Sequence, residues 1–164
     1  MELEDFFDRE LGHQLRAAIL GPMFASDPDG VIAALSLGMG LGEGTKSAVR
    51  ALFPAFSAFY KLRHKINPAT VTEAPTKVRA ALDRITADLQ PSGYLVGESF
   101  SVADLTAAAL FSPLVMPKEI QYPFPAPVPK SLAEFRDSLS KHPGFGWVAE
   151  IYRRHRGSSA EVTA

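Results

Sequence analysis

Apolar residues recur every three or four positions along most of the chain, which is the spacing of helices rather than of strands. The first segment shows the pattern, with one apolar face made of Leu3, Phe7, Leu11, Leu15, Ala18 and Pro22. We predict a helix over residues 2–20. Gly21 and Pro22 are expected to end it, because proline is disfavoured inside a helix.

Two further helical regions follow before residue 90. After Asp27 or Asp29, either of which can cap a helix, the helical spacing continues to residue 66, but four glycines and Pro54 predict that this region is not one straight helix. The next helix is predicted over residues 71–89. Thr70 and Glu73 have the spacing of a capping box there, and Pro75 lies near the predicted start.

The fourth predicted helix opens with Ser101 and Asp104. No charged residue lies between Asp104 and Lys118, and a helix that is apolar on every side is normally surrounded by other helices. We therefore expect this helix to be central and to end near Pro113 or Pro117. Residues 117–130, which hold five prolines, predict an extended connection.

Two short helices are predicted over residues 130–139 and 143–156, before a small, polar tail. No segment sustains the alternation typical of strands. The sequence therefore predicts an all-α fold, with one helical domain over residues 1–156 and a flexible tail over residues 157–164.

Composition narrows the classes of function. Seventeen Lys and Arg against eighteen Asp and Glu leave a net charge of −1, which does not favour nucleic-acid binding. The chain has no cysteine, so disulfides, zinc-thiolate sites and a cysteine nucleophile are excluded. The acidic start is unlike a secretory signal, and no apolar run is long enough to cross a bilayer. We expect a cytoplasmic protein without membrane partners.

Ser101 and Asp104 have a catalytic and a structural interpretation. As a nucleophile, Ser101 needs a histidine or lysine base, which the spacing does not supply. As a capping box, the Ser101 hydroxyl accepts from the amide of Asp104 and the carboxylate accepts from the amide of Ser101. Phe100 and Leu105 occupy the positions of a hydrophobic staple. The structural interpretation is the stronger one.

The stretch "YLVGESFSVADLTAAAL" (94–110) resembles the segment that opens the central helix of the C-terminal domain of cytosolic glutathione transferases. The stretch "ELEDFFDRELG" (2–12) is similar to the start of that domain, and "HPGFGWVAEIYRRHR" (142–156) is similar to its closing helix in a bacterial subgroup. The resemblance implies an orthogonal bundle of about six helices around a central buried helix. It also implies a hydrophobic substrate pocket and a share of a dimer interface.

In that family a thioredoxin-like βαβ domain binds glutathione and supplies the residue that activates its thiol. Since this chain shows no strand pattern, we assign it no catalytic residue and no cofactor of its own. Glutathione, or another small thiol, is expected only with a separate thiol-binding domain. A homodimer or a separate thioredoxin-like chain is the expected partner.

Few other residues suggest chemistry. The four histidines lack the short spacing of a helical metal site, so no metal is expected. Because the first helix lines the substrate cleft in relatives, the resemblance points to Phe6, Glu10 and His13 as pocket residues. The basic clusters "KLRHK" (61–65) and "YRRHR" (152–156) suit solvated helix ends, or an anion. The aromatic row of residues 53–60 suits either a core or an apolar cavity.

Three functions remain open. The first is the substrate-pocket part of a glutathione transferase-like protein, inactive without a thiol-binding domain. The second is a non-catalytic binder of small hydrophobic ligands. The third is a protein–protein interaction module.

Overall fold

The computed structural model describes residues 11–38, 43–120 and 128–157. Within these ranges it contains seven helices and no strand, which confirms the all-α prediction. The helices are α1 (Gly12–Ser26), α2 (Pro28–Gly38), α3 (Glu43–Arg63), α4 (Pro68–Asp88), α5 (Val102–Val115), α6 (Lys130–Leu139) and α7 (Pro143–His155). The count exceeds six because the region before residue 66 is divided into α2 and α3, as its glycines indicate. Residues 121–127 of the predicted connection and residues 158–164 of the predicted tail lie outside the described residues.

The first helix does not end where the sequence predicts. α1 continues through Pro22 to Ser26, and residues 2–10 of the predicted helix lie outside the described ranges. Gly21 is buried against α4, so closely that a Cβ atom there would overlap the side chain of Val71. Met23 and Phe24 are buried one turn further on. Tertiary packing of this last turn therefore outweighs the local cost of Pro22.

The predicted start of α4 was wrong by three residues. Asn67, rather than Thr70, is the N-cap: its side chain accepts from the amide of Thr70 at 3.1 Å. Thr70 Oγ1 accepts from the amide of Asn67 at 2.9 Å, which completes the capping box. Pro68 takes the first helical position, where its missing N–H has no cost. Glu73 instead forms an ion pair with Lys77 at 3.1 Å.

The helix α5 is anchored in the core along one side. It packs against α1, α6 and α7, and Phe111 and Leu114 are fully buried. Pro113 lies inside the helix, which ends at Val115 before Met116 adopts a left-handed conformation (φ 52°). The expectation that α5 is covered on every side is wrong for its first turns, because Val102 and Leu105 are more than half exposed.

The remaining helices form two groups around α1. On one side α4 packs along α1 and also touches α7, while α6 packs against α1 and α5. On the other side α2 and α3 pack against each other, and Phe24 of α1 contacts the rings of Phe53 and Tyr60 with centroids 5.9 and 5.5 Å away. This arrangement leaves a cleft where the start of α1, the end of α3 and the middle of α4 meet.

Candidate functional site

The cleft between α1, α3 and α4 has a volume of about 830 Å³. Such a volume falls within the range of small-molecule pockets, roughly 300–1,000 Å³. Three apolar residues line it together with seven polar or basic ones: Leu11, His13, Gln14, Arg63, His64, Lys65, Lys77, Ala80, Ala81 and Arg84. None of the described residues in this lining carries a carboxylate.

The charge of the cleft comes from the end of α3 and one face of α4. Lys77 and Arg84 each have an acidic partner on α4, Glu73 at 3.1 Å and Asp88 at 3.3 Å. Arg63 and Lys65 form no ion pair within the described ranges. The cleft therefore keeps unneutralised positive charge on its α3 side.

His64 lies among these basic residues of the cleft. Its ring packs on Tyr60 with centroids 4.3 Å apart. Partial desolvation lowers the pKa of His64 below its usual value, and the nearby charges of Arg16, Arg63 and His13 lower it further. Each of these effects disfavours the protonated imidazole. A group of the opposite sign in the cleft would reverse the charge contribution.

Gln14 contributes the least satisfied polar atom of the cleft. Its Oε1 atom is inaccessible to solvent and has no hydrogen-bond partner among the described residues. Buried polar side-chain atoms almost always have a partner, and the oxygen and nitrogen of an amide are interchangeable by a flip. The Gln14 amide therefore has unused hydrogen-bonding capacity at the cleft wall.

The structure places the sequence-predicted pocket residues unequally. His13 lines the cleft, and its role as a substrate-pocket residue stays a prediction. Phe6 and Glu10 lie outside the described residues. No sequence pattern joins His13 to His64, which is 51 positions away, although the basic cluster at 61–65 indicates that an anion could bind there.

Ser101 and Asp104 lie at the start of α5 and are absent from the cleft lining. Ser101 is the N-cap, and Asp104 Oδ2 accepts from its amide at 2.8 Å and from its hydroxyl at 2.5 Å. The reciprocal bond from the amide of Asp104 to Ser101 Oγ is long, at 3.5 Å. Asp104 is fully buried, and its Oδ1 also accepts from the amide of Leu95 at 2.7 Å. The serine hydroxyl is thus engaged by the carboxylate of the capping box rather than by a histidine or lysine.

The two residues at the staple positions differ in their surroundings. Phe100 stacks on His155 with centroids 4.2 Å apart and meets Tyr94 edge-on. Leu105 is 55% exposed. Phe100 therefore connects the start of α5 to the end of α7 by a ring contact. The residues next to Phe100 in the sequence do not predict this contact.

The other two histidines have structural partners. His142 caps α7, with Nδ1 accepting from the amide of Gly144 at 3.1 Å and Nε2 lying 2.9 Å from Asp83 Oδ1. His155 Nε2 lies 3.2 Å from the hydroxyl of Tyr94. Across the part of the chain that the structure describes, no cluster of three or more His, Asp or Glu could hold a metal ion.

A second candidate surface lies on α3. Its exposed side carries Leu52, Phe56, Phe59 and Leu62, which we call the α3 apolar face; Phe59 is 66% and Leu62 is 81% exposed. Residues 51–60 include no charged side chain. The opposite side of the helix buries Phe53 against α1. An exposed apolar face of this kind commonly marks an interaction site.

A model of the family described as glutathione S-transferase, C-terminal domain, matches residues 46–143. The match covers more than half of the chain, and the chain belongs to this family. The matched range includes most of α3, all of α4, α5 and α6, and the α3 and α4 walls of the cleft. Neither the curated proteins nor the solved structures that were compared include a match. Among the described helices, none is both long and apolar enough to cross a membrane.

Proposed function

We propose that this chain acts as the substrate-positioning helical domain of a glutathione transferase-like protein. Membership of the family supports this role, and the observation that carries it is the cleft beside the first described helix, with His13 in its wall. The thiolate of glutathione or of another small thiol is held by a thioredoxin-like domain. The thiolate sulfur attacks an electrophilic carbon of a substrate that rests in the cleft, so that a carbon–sulfur bond forms and the leaving group, such as chloride, departs as an anion.

The contribution of this chain to the reaction is proximity and orientation. Holding an electrophile in a fixed position beside a bound thiolate removes much of the entropic cost of a bimolecular step. Gln14 and His13 are suited to orient the substrate by hydrogen bonds, and the exposed side chain of Ala80 provides apolar contact. No residue of the chain is assigned as nucleophile or base. Ser101 is committed to the capping of α5 and is not assigned a catalytic role.

The α3 apolar face is proposed as the surface that pairs two copies of the chain. Two α3 helices crossing in an antiparallel manner would bring Phe56 and Phe59 of each copy together, which is the self-complementary contact of a two-fold dimer. The absence of charge over residues 51–60 supports this arrangement, since no like charges would then face each other. A separate thioredoxin-like chain is the competing occupant.

The transferase role is tested by supplying a glutathione-binding domain to the chain. A thioredoxin-like glutathione-binding domain is fused ahead of residue 1 through a flexible linker. Conjugation of glutathione to 1-chloro-2,4-dinitrobenzene is then followed by absorbance. We expect turnover above the spontaneous rate in the fusion and none in the chain alone.

Two controls accompany this experiment. The thioredoxin-like domain without the chain measures its own residual activity. The fusion carrying His13→Ala tests the cleft, with a raised KM as the expected result. Equal turnover by the fusion and by the isolated thioredoxin-like domain would refute the proposed role, as would turnover by the chain alone.

A non-catalytic binder is the second candidate function. It is favoured by one observation: the volume of the cleft, about 830 Å³, lies within the range of small-molecule pockets. Binding of a small apolar molecule to the chain, combined with a fusion that shows no turnover, would favour this candidate.

A further inference from the structure

The packing of the helices sets α2 and α3 apart from the rest of the domain. The helices α1, α4, α5, α6 and α7 pack against one another, whereas α3 packs mainly against α2, and α2 against α1 and α3. An ion pair between Asp29 of α2 and Arg50 of α3 joins the two helices to each other. We call Pro28–Gly38 together with Glu43–Arg63 the α2–α3 unit.

A small set of side chains holds the α2–α3 unit on the domain. The ring of Phe24 on α1 meets the rings of Phe53 and Tyr60 on α3. The ammonium group of Lys61 lies over the same ring, 5.5 Å from its centroid. The outer side of the unit is the exposed α3 apolar face. A segment with few buried contacts opens at a lower free energy than the core beside it.

Each end of the α2–α3 unit is joined to the domain through a residue with non-helical backbone. Asp27, between α1 and α2, has φ −144° and ψ 62°. Lys65, between α3 and α4, has a left-handed conformation (φ 53°), which is uncommon for a residue other than glycine. Residues at the ends of helices commonly absorb the backbone rotation of a hinge motion.

The cleft lies across the boundary between the α2–α3 unit and the rest of the domain. Arg63 belongs to α3, and the ring of His64 packs on Tyr60 of the same helix, so both are expected to move with α3. The remaining walls belong to α1 and α4, which pack along each other. A rotation of the unit therefore changes the width of the cleft.

From these observations we propose that the α2–α3 unit moves as one body about Asp27 and Lys65, and that this motion opens and closes the cleft. Opening admits a ligand, and closing brings the α3 wall against it. The importance of the motion for a substrate rests on the proposed function. The motion itself needs no substrate, thiol or turnover.

Distances between spin labels test the motion in the full chain. Because the sequence has no cysteine, two engineered cysteines carry the only labels. Ser47→Cys with Thr76→Cys joins an exposed position on α3 to one on α4. Thr76→Cys with Lys141→Cys stays within the rest of the domain, and Ala33→Cys with Ser47→Cys stays within the α2–α3 unit. The labelled chain is diluted with unlabelled chain, so that only distances within one copy are measured.

Pulsed electron paramagnetic resonance gives the distribution of each distance. We expect a broad or two-peaked distribution between positions 47 and 76, and a narrow one for each of the two control combinations. Motion of the unit as one body requires that the distance between positions 33 and 47 stays narrow.

Variants at the joint test its role. Lys65→Gly gives the backbone more freedom at a left-handed position, so it should broaden the distribution between positions 47 and 76 further. Met116→Gly is the matched control, because Met116 is also left-handed (φ 52°) but follows α5. It should leave this distribution unchanged. Circular dichroism establishes that every variant is folded.

Alkylation of a buried thiol measures opening by an independent route. Val31 on α2 is 4% exposed and Val148 on α7 is 0% exposed, and each is replaced by cysteine in turn. We expect iodoacetamide to react with the cysteine at position 31 at least roughly tenfold faster, because opening of the α2–α3 unit exposes it without global unfolding. Lys65→Gly should raise this rate and leave the rate at position 148 unchanged.

The proposal is overturned if the distance between positions 47 and 76 is narrow and Lys65→Gly leaves it so. Equal rates of alkylation at positions 31 and 148 would overturn it as well, as would equal broadening by Lys65→Gly and Met116→Gly. A fusion that conjugates glutathione while this distance stays narrow would leave the transferase role intact and refute only the moving unit. A broad distance in a chain whose fusion is inactive would support the moving unit and refute the transferase role.

Discussion

The carboxylate of Asp104 accepts a hydrogen bond from the main-chain amide of Leu95, nine residues earlier, at 2.7 Å. The same carboxylate accepts from the amide and the hydroxyl of Ser101. One buried side chain therefore closes the first turn of α5 and also fixes the loop that leads into it. Leu95, at 2% exposure, is held in the core by this bond.

Asp104→Ala is expected to destabilise the protein by about 3 kcal/mol, because it removes a charged acceptor and leaves the buried amide of Leu95 unpaired. Ser101→Ala should cost only about 1 kcal/mol, the ordinary effect of losing a cap. Urea unfolding followed by circular dichroism measures both. Asp137→Ala, an exposed aspartate on α6, is the control and should have little effect. Equal losses for the Asp104 and Asp137 variants would contradict this account of α5.

Gly21→Ala tests the contact between Gly21 and Val71, which stabilises the last turn of α1 beyond Pro22. The new Cβ atom would overlap the side chain of Val71, and overpacking of this kind costs about 1–3 kcal/mol. Gly146→Ala is the matched control, since a Cβ there meets nothing within 4 Å. It should stabilise α7 by roughly 0.5–1 kcal/mol. Thermal unfolding measures both variants.

Val71→Ala extends this experiment to a double-mutant cycle. In the background of Val71→Ala, the change at Gly21 should cost much less than in the natural protein. An unchanged cost would show that Val71 is not the obstacle.

The loss of folding stability at acid pH is expected to depend on Glu150. Hydrogen bonds from Arg153 and Arg154 lower the pKa of Glu150 to about 2 in the folded protein, below its ordinary value of 4.5. The unfolded chain therefore binds the proton more readily. The contribution of Glu150 to stability is complete above pH 4.5 and is lost as the pH falls from 4.5 towards 2. Glu150→Gln should flatten this part of the curve of melting temperature against pH.

Glu134→Gln provides the comparison, because Glu134 forms a single, longer ion pair with Lys130 at 3.7 Å. Carbon NMR of the Glu150 carboxyl group measures the titration directly. A Glu150 midpoint at its ordinary value would contradict the prediction.

His64 is expected to make the protein less stable below neutral pH. Partial desolvation and the charges of Arg16, Arg63 and His13 lower its pKa in the folded state. The unfolded chain therefore takes up the proton first, and stability falls as the pH drops below about 6.5. Lys65, Lys77 and Arg84 also line this cleft with positive charge. His64→Gln should remove part of the loss, as measured by urea unfolding at pH 5 and pH 7.

Phe59→Ser is expected to convert a dimer of the chain to a monomer, because it introduces a polar group at the centre of the α3 apolar face. Light scattering coupled to size-exclusion chromatography measures the mass in solution. Leu105→Ser, which changes an exposed apolar residue on α5, is the matched control and should leave the dimer intact. A natural protein that is monomeric at high concentration would contradict the proposed pairing.

The parts of the fold that the sequence predicts well are those governed by local spacing. Ser101 and Asp104 lie three apart before an uncharged stretch, and this spacing is enough to predict where α5 begins. The bond from Leu95 to Asp104 could not be predicted, because the path of the loop over residues 90–100 decides it. The sequence pattern alone also does not show that the first turns of α5 are exposed to solvent.

The predicted helix boundaries were wrong where tertiary packing or a neighbouring residue outweighs a local rule. Pro22 does not end α1, since the contact of Gly21 with Val71 holds the next turn in the core. The start of α4 was assigned to Thr70, although Asn67 followed by Pro68 is the stronger starting signal. The cleft was not predictable, because it joins His13 of α1 to His64 at the end of α3 and to the α4 face. Only the tertiary fold brings these segments together.

Mapping the binding site by NMR tests the central claim most directly. The chain labelled with nitrogen-15 is titrated with the apolar probe N-phenyl-1-naphthylamine, and the shifts of its backbone amides are followed. The account predicts the largest shifts at His13, Gln14, His64 and Lys65, with smaller ones along the facing side of α4. Shifts confined to Leu52, Phe56 and Phe59 on the α3 apolar face would contradict it, because the ligand would then bind outside the cleft.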